Sequence, residues 1–559
     1  MVLLMASSLR SIDILRWSPE KPVPHREEAM AVAGGDALGD LGFPRIGYDE
    51  DGNKWEWLRS QIIGVDAEFE GPFGRRRITY SDHTASGRFL RFVEEYILQD
   101  VLPFYGNTHT SDSYVGRRTT DLVNRSVRYI KQSCGAGGDD ILLFCGSGST
   151  TAIKRLQEVL GIAVPSVLRP LLVRQLPPSD RWVVFVGPYE HHSNLLSWRQ
   201  SLAQVVEIGL DRVTGRPDLA ALERALNSPE FAGRPKLGSF SACSNVSGIL
   251  TDTRSMARLL HRYGALACFD FACSAPYVEI NMRSGESDGY DAVFLSPHKF
   301  LGGPGSPGIL LMSSKLYKLR GAPPSTSGGG TVRFVGGYDV EDTVYCEDPE
   351  EREDAGTPAI VQKVRAAAAF RLKDWVGHLA IRERERWMVQ RAMQRMKQNP
   401  KVQVLGAASD GEQQPIISFL LFPDGPRGRN LHCRFVATLL NDLFGIQARG
   451  GCSCAGPYGH VLLHIDPSRS KAIKAAVETG FEGVKPGWTR VSFPYYVSEK
   501  EMEFVVDAIE LLADHGRQFL PLYDFDWRTG AWEHLNGHGK AEKASGTTCD
   551  AFSEYLTGE

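Results

Sequence analysis

No apolar run in this sequence approaches the roughly 18 residues that a membrane-spanning helix needs, and the opening MVLLMA is too short for a secretory h-region. Membrane spanning and secretion are therefore not expected. Nor is there a long block of one charge sign: 63 Lys and Arg nearly balance 67 Asp and Glu, for a formal net charge of -4. That balance gives no reason to expect a polyanionic partner, which removes nucleic acid and anionic membrane surfaces from the expected ligands. Small molecules and proteins remain. Cysteine is too sparse for a disulfide framework, at ten in 559 residues. Several sit in apolar runs, Cys145 in ILLFC and Cys268 in ALACFD, where a thiol serves as a small hydrophobe. A reducing compartment, with the cytoplasm as default, follows. Arg10, Arg16 and Lys21 near the start keep organellar import open, while Asp13 and Glu20 weigh against it. Cys452 and Cys454 stand too close for half of a usual zinc site, and no second pair completes one. A Walker A motif, a G-x-G-x-x-G fingerprint and internal repeats are missing as well.

What is present is enough apolar residue for two to four domains. Residues 1–75 mix Pro, Gly and charge without a period and predict an irregular N-terminal arm. From about Ile78 the texture becomes α/β. RWVVFVG, ALACFD, DAVFLS and GILLM read as buried strands, and SLAQVVEIG contains another. Between them TTAIKRLQEVLGI, PDLAALERALNS and TDTRSMARLLHRYG carry helical periodicity. Alternation of this kind predicts a mainly parallel sheet covered on both faces, in a large domain over 76–370. A long amphipathic stretch follows, with a break expected near Gly377, and leads into a smaller α+β domain over 371–529 that the N-terminal arm completes. There PIISFLLF is a strand, NLHCRFVATLLNDLFGI a helix ended by glycine, and SEKEMEFVVDAIELLADHG a helix with a Ser cap. The tail 530–559 is polar and aperiodic and is expected to be disordered.

Four strand ends carry chemistry. In ILLFCGSGSTTAIKRL an apolar strand runs into Gly146-Ser147-Gly148-Ser149-Thr150 and then a helix, the arrangement that cradles a phosphate on helix N-terminal amides and hydroxyls. Asp270 ends ALACFD, where a carboxylate suits a protonated pyridine nitrogen. His191 in PYEHHSN suits stacking on a flat ring, with His192 or Asn194 nearby. Lys299 closes YDAVFLSPHK, and glycines and prolines follow it. Each has an ordinary reading alone: a capped glycine turn, a helix cap, a structural histidine, a solvated loop cation. Together and in this order they meet the needs of pyridoxal 5′-phosphate.

On these motifs the chain, over roughly Ile78 to Gly516, resembles the class V aminotransferase family and within it the cysteine desulfurase and selenocysteine lyase branch. The resemblance implies the fold-type I architecture of pyridoxal-phosphate enzymes: a large domain with a mainly parallel seven-stranded sheet, plus a smaller α+β domain. SPHKF is similar to the family's Ser-x-His-Lys, which implies that Lys299 carries the cofactor covalently and that Ser296 and His298 contact its phosphate. GSTTAI gives Ser149 and Thr150 the same phosphate role. EHHSN implies His191 as the stacking and catalytic histidine, SNVSG implies Asn245 near the phenolic oxygen, and FDFAC implies Asp270 on the pyridine nitrogen. Cys273 stands where the family has Gln, and YSDHTASG keeps Asp82 while His83 and Thr84 depart from the pattern.

GWTRVSF implies Arg490 as the grip on a substrate carboxylate, with Asn107 and His109 as further substrate-side residues. ARGGCSCAG resembles the desulfurase loop and puts Cys454 at the persulfide-forming position; Cys452 has no counterpart in most desulfurases. An L-amino acid substrate, a homodimer and a sulfur-acceptor protein are the implied partners, and GGGTVRFVGG is expected to reach the neighbouring subunit's phosphate. An aminotransferase or epimerase of the same fold needs Lys299 and Arg490 but not Cys454. A non-catalytic binding protein is the alternative of another class.

Overall fold

The structure, a computed structural model, describes residues 54–536 apart from Val340 and 407–410. The charged start of the chain and most of the expected tail lie outside the described residues. Seven strands build the central sheet: β1 (Asp140–Cys145), β2 (Val183–Val186), β3 (Gln204–Glu207), β4 (Lys236–Ser241), β5 (Ala265–Asp270), β6 (Ala292–Leu295) and β7 (Gly308–Ser313). Their order is β1-β7-β6-β5-β4-β2-β3. β7 runs antiparallel to β1 and β6, and every other pairing is parallel. All strands but β7 therefore end at one edge. Continuous apolar runs dictate this position, because VVFV and AVFL are buried along their whole length and only a sheet covered on both faces accepts that. Phe185, Phe240 and Phe269 face one core, whereas Val184, Val186 and Phe294 face another.

Local signals set the helix ends. Asp252 accepts from Ser255 N–H to start Thr253–Arg262, and Ser498 accepts from Glu501 N–H to start Glu499–His515. Gly377, at φ 86°, separates Ile360–Val376 from His378–Gln398 at the expected break, and Gly445 ends Cys433–Phe444 in the left-handed region. Helix Ile360–Val376 belongs to the first core, with Ile381. From Met388 the next helix turns its side chains into a separate core that packs Ile417, Phe419, Val491 and Met502. Its antiparallel sheet comprises β8 (Val402–Leu405), β9 (Ile416–Leu421), β10 (Arg449–Gly451) and β11 (Trp488–Ser492), in the order β8-β9-β11-β10.

Two hairpins depart from the expected irregular ends. Glu68–Gly71 pairs with Gly74–Arg77, and the strand Thr79–Tyr80 that follows pairs with Ile446–Gln447. GRRR has no apolar alternation to announce a strand. Arg76 and Arg77 are instead anchored on backbone carbonyls of Leu443 and Val65, while Phe73 packs on the second core. At the other end Tyr523–Phe525 pairs with Trp532–His534, carried by aromatic contacts of Trp532 with Phe435 and Phe525 at 4.5 and 4.6 Å. Among the described residues no helix is long and apolar enough to cross a membrane.

Candidate active site

The sheet edge where six strands end opens into a cavity of about 490 Å³ lined by Ser149, Thr150, His191, Asn245, Asp270, Cys273, Ser296, His298, Lys299 and Arg490. Residues 149 to 490 thus converge on one site, as ligand sites in α/β sheets do. Lys299 ends a single 3₁₀ turn, Pro297–Lys299, directly after β6. Burial pushes its ammonium below the usual range; Arg490 and Arg449 add to that, and Cys273 and Asp270 oppose it. Close packing explains the glycines. Gly148 has φ +62°, and a Cβ there would lie 2.7 Å from His298 Cε1 and 2.9 Å from Ser296 Oγ. A Cβ at Gly303 would meet the Pro297 carbonyl oxygen at 1.9 Å.

At the phosphate end, Ser149 N–H donates to Ser296 Oγ at 2.9 Å, tying the helix Gly148–Val159 to the lysine turn. Thr150 Oγ1 meets Ser193 Oγ at 2.7 Å. Ser193 N–H in turn donates to His191 Nδ1 at 3.2 Å, which leaves the His191 proton on Nε2. Burial, then Lys299, holds the His191 pKa down at about 3, and the same two causes hold His298 at about 4. Both imidazoles are neutral at physiological pH. Asp270 accepts the Ala272 N–H at 2.9 Å. Its pKa is raised by burial against that hydrogen bond and Lys299, and a cationic ring nitrogen would restore its charge. Glu190, which had no assigned role, lies behind this wall and accepts from Gly187 N–H, Ser241 N–H, Ser241 Oγ and Asn194 Nδ2 at 2.5–3.1 Å.

Arg490, on β11, is held through two of its three nitrogens. Nη2 donates to Asp82 Oδ1 at 2.7 Å and Nη1 to the Asn245 carbonyl at 2.9 Å. Arg449 Nε donates to the other Asp82 oxygen at 3.0 Å and also lines the cavity. Arg449 stands in the ARGGCSCAG motif, where the two cysteines are the more conspicuous signal. The cysteine loop docks on the histidine turn: His192 N–H donates to the Cys454 carbonyl at 2.8 Å and Gly456 N–H to His192 Nε2 at 3.0 Å. Asn245 Nδ2 adds a bond to the Ser453 carbonyl at 2.8 Å. Ser453 and Cys454 both have positive φ, 51° and 58°, a conformation costly for non-glycine residues and frequent at functional loops. Ser453 lines the cavity wall and Cys454 follows it, half-buried.

Asn107 and His109 are not brought to this cavity within the chain. Asn107 Nδ2 donates to Thr357 Oγ1 at 3.3 Å, and His109 lines a different cavity of about 650 Å³ with Lys131, Glu350 and Lys363. Both sit on the loop before helix Tyr114–Ser133, whose direction the local sequence does not encode.

The donor set fits a phosphorylated pyridine ring. Hydroxyls and a helix N-terminus gather at one end and a buried carboxylate at the other. Asn245 Oδ1, Thr84 Oγ1, Ser306 Oγ and Ser453 Oγ are buried on the wall without a hydrogen-bond partner among the described residues, a cost a polar ligand would remove. Comparison with known proteins agrees. Residues 79–505 match the family model described as aminotransferase class-V. A probable cysteine desulfurase of Streptomyces coelicolor is 25% identical over 443 residues, 79% of this chain and 93% of that protein. Probable cysteine desulfurase 2 of Mycobacterium leprae is 31% identical over 275 residues, 49% of this chain and 60% of that protein. Among solved structures, the apo cysteine desulfurase of Thermococcus onnurineus NA1 superposes with a TM-score of 0.63 at 22% identity, covering 82% of this chain and 98% of that one. The cysteine desulfurase CsdA of Escherichia coli gives 0.60 at 22% identity, with 82% and 98% covered. The chain belongs to the class V aminotransferase family, and it is a pyridoxal-phosphate-dependent enzyme of fold type I.

Proposed function

We propose that this enzyme is a cysteine desulfurase-like carbon–sulfur lyase that converts L-cysteine to alanine and leaves a persulfide on Cys454. The observation that carries the reading is the docking of the Cys452–Gly456 loop on the His191–His192 turn, in a left-handed loop whose Ser453 lines the cavity next to Cys454. Curated relatives named as probable cysteine desulfurases support it. The bound cofactor supplies an electron sink that acidifies the substrate's α-proton. Ser149, Thr150, Ser296 and His298 would hold its phosphate, Asp270 its ring nitrogen, and Asn245 and Cys273 its phenolic edge. Arg449 and Arg490 orient the substrate carboxylate, with Asp82 fixing both guanidinium groups. Lys299, its ammonium destabilised by burial, is the base that takes the α-proton. Neutral His191 carries a proton at Nε2 for delivery to the reacting atoms. Cys454 as thiolate attacks the substrate sulfur. An S–S bond forms, the C–S bond breaks, its electron pair stays on carbon, and a proton completes alanine.

The division into 76–370 and 371–529 accompanies this reading, with the site between the two parts. A homodimer and a protein acceptor for the persulfide sulfur complete it, in a cytoplasmic setting. One observation favours a second reading, an aminotransferase or epimerase that does not use Cys454: Ser453, not Cys454, forms the cavity wall. The deciding experiment measures alanine and sulfide from L-cysteine for the loaded enzyme and its Cys454→Ser variant. Release that the variant loses supports the desulfurase. No release from the parent enzyme, with the cofactor still bound, overturns it in favour of the second reading.

A further inference from the structure

Two thiols other than the sulfur-accepting Cys454 line the same cavity, Cys243 and Cys273. Cys243 follows β4 by two residues and Cys273 follows β5 by three, and these strands are paired neighbours with Ser241 opposite Asp270. Ala242 N–H donates to the Asp270 carbonyl at 2.9 Å, which carries the pairing past the strand ends. Cys273 Sγ donates to the Cys243 carbonyl at 3.2 Å, and Cys243 Sγ donates to the Gly248 carbonyl at 3.3 Å. Both line the cavity, both are buried at 2% and 6% exposure, and with Ile416 they form a small cluster of their own. Neighbouring strands lie about 4.8 Å apart, and disulfides bridge Cα atoms about 4.4–6.8 Å apart. The pair is also asymmetric. Burial pushes Cys243 well up, whereas the hydrogen bond from Cys243 brings Cys273 down against burial, with Lys299 assisting. Cys273 shares the cavity wall with the Lys299 cation, which favours its thiolate and assigns Cys273 the attack and Cys243 the resolution.

We propose that Cys243 and Cys273 form an oxidisable dithiol site that a peroxide closes to an intrachain disulfide, and that this closure and cofactor loading exclude one another. The Cys273 thiolate attacks one peroxide oxygen and the O–O bond breaks. This gives the sulfenic acid and hydroxide, which takes up a proton as water. Cys243 Sγ then attacks the Cys273 sulfur: the S–S bond forms, the S–O bond breaks, and the hydroxyl leaves with the Cys243 proton as a second water. Two thiols and one hydrogen peroxide give one disulfide and two waters. Exclusion follows from position. Cys273 is the residue after Ala272, whose N–H anchors Asp270; a bond to Cys243 draws that turn toward β4 and removes the S–H from the cavity wall. Conversely, a ring held on Asp270 would occupy the cavity that both thiols line. Nothing here depends on Cys454 being catalytic.

The test treats the full chain, cofactor-free and cofactor-loaded, with hydrogen peroxide, blocks remaining thiols with N-ethylmaleimide and maps peptides by mass spectrometry. The cofactor-free chain is expected to yield a Cys243–Cys273-linked peptide with the mass of two hydrogens lost, reversed by dithiothreitol. Loading slows its formation, as occupying the cavity in front of a thiol should, and the oxidised chain takes up pyridoxal phosphate only after reduction. Cys273→Ser abolishes the linked peptide, and Cys243→Ala leaves a dimedone-reactive sulfenic acid on Cys273. Both thiols alkylated after peroxide, or a linked peptide formed equally fast in the loaded protein, would overturn the proposal.

Discussion

Asp82 and Arg490 lie 408 positions apart in the chain and meet at 2.7 Å, with the Arg490 side chain only 3% exposed. A buried cation of this kind depends on its partner: truncating one member of such a pair costs about 3–5 kcal/mol, because the other charge is left uncompensated. Asp82→Asn is therefore expected to lower the unfolding free energy in urea by that order, while a distant surface substitution such as Lys474→Ala changes little. For Lys299 the expectation is chemical. Lys299→Ala removes both the covalent hold on the cofactor and the base, and loss of the base alone lowers turnover about 10²–10⁴-fold. Hydride reduction of the loaded variant should leave no cofactor mass on the peptide containing position 299. Lys299, Asp270 and His191 could be picked out because each lies at or within five residues of the end of an apolar strand, a short local signal. The Asp82–Arg490–Arg449 cluster was not, since no local pattern says which distant carboxylate a buried guanidinium will meet. Asn107 and His109 illustrate the same limit: the path of their loop is not a local signal, and within the chain it sets Asn107 against Thr357 and His109 on another cavity.

At the scale of elements, the turn between β2 and the helix His192–Arg199 is set by Glu190. Its carboxylate gathers donors from the turn, from that helix and from the end of β4, so it fixes the histidine turn against the strand beside Asp270. Burial raises its pKa from 4.5 to about 7, against its hydrogen bonds from Ser241 and Asn194. The folded state thus binds this proton more tightly than the unfolded chain. The resulting stabilisation is complete below pH 4.5 and is lost as pH rises through about 7. Glu190→Gln keeps the shape but turns an amide toward donors, at a cost of about 1–3 kcal/mol. Thermal unfolding across pH 4.5 to 8 should show a lower melting temperature for the variant, with the gap to the parent narrowing as pH rises. A gap that stays constant with pH would contradict the assignment. Strands and helices themselves were readable wherever burial imposed a period. The hairpins Glu68–Arg77 and Tyr523–His534 were not, because arginine-to-carbonyl bonds and aromatic stacking stabilise them without alternation.

Taken whole, the described chain leaves a group of large apolar side chains in water. Leu98, Leu102, Phe104, Tyr105 and Tyr114 are exposed in one segment, and Phe334, Val335 and Val344 in the hairpin Val332–Val335 and Thr343–Tyr345. The segments adjoin, since a Cβ on Gly330 would lie 2.9 Å from the His109 ring. Exposed apolar groups on adjoining segments suit an association site, and a second copy of the same chain is the partner named in the proposed function. Two charges placed there, Tyr114→Asp with Phe334→Asp, would bury unpaired carboxylates in a dimer at several kcal/mol each while leaving both cores of one chain untouched. The parent protein should sediment at twice the mass of the chain and the double variant at the mass of one. Retention of the dimer by the variant would show that the exposed stripe serves something other than self-association, and would remove the reason for expecting the GGGTVRFVGG segment to reach a neighbouring site.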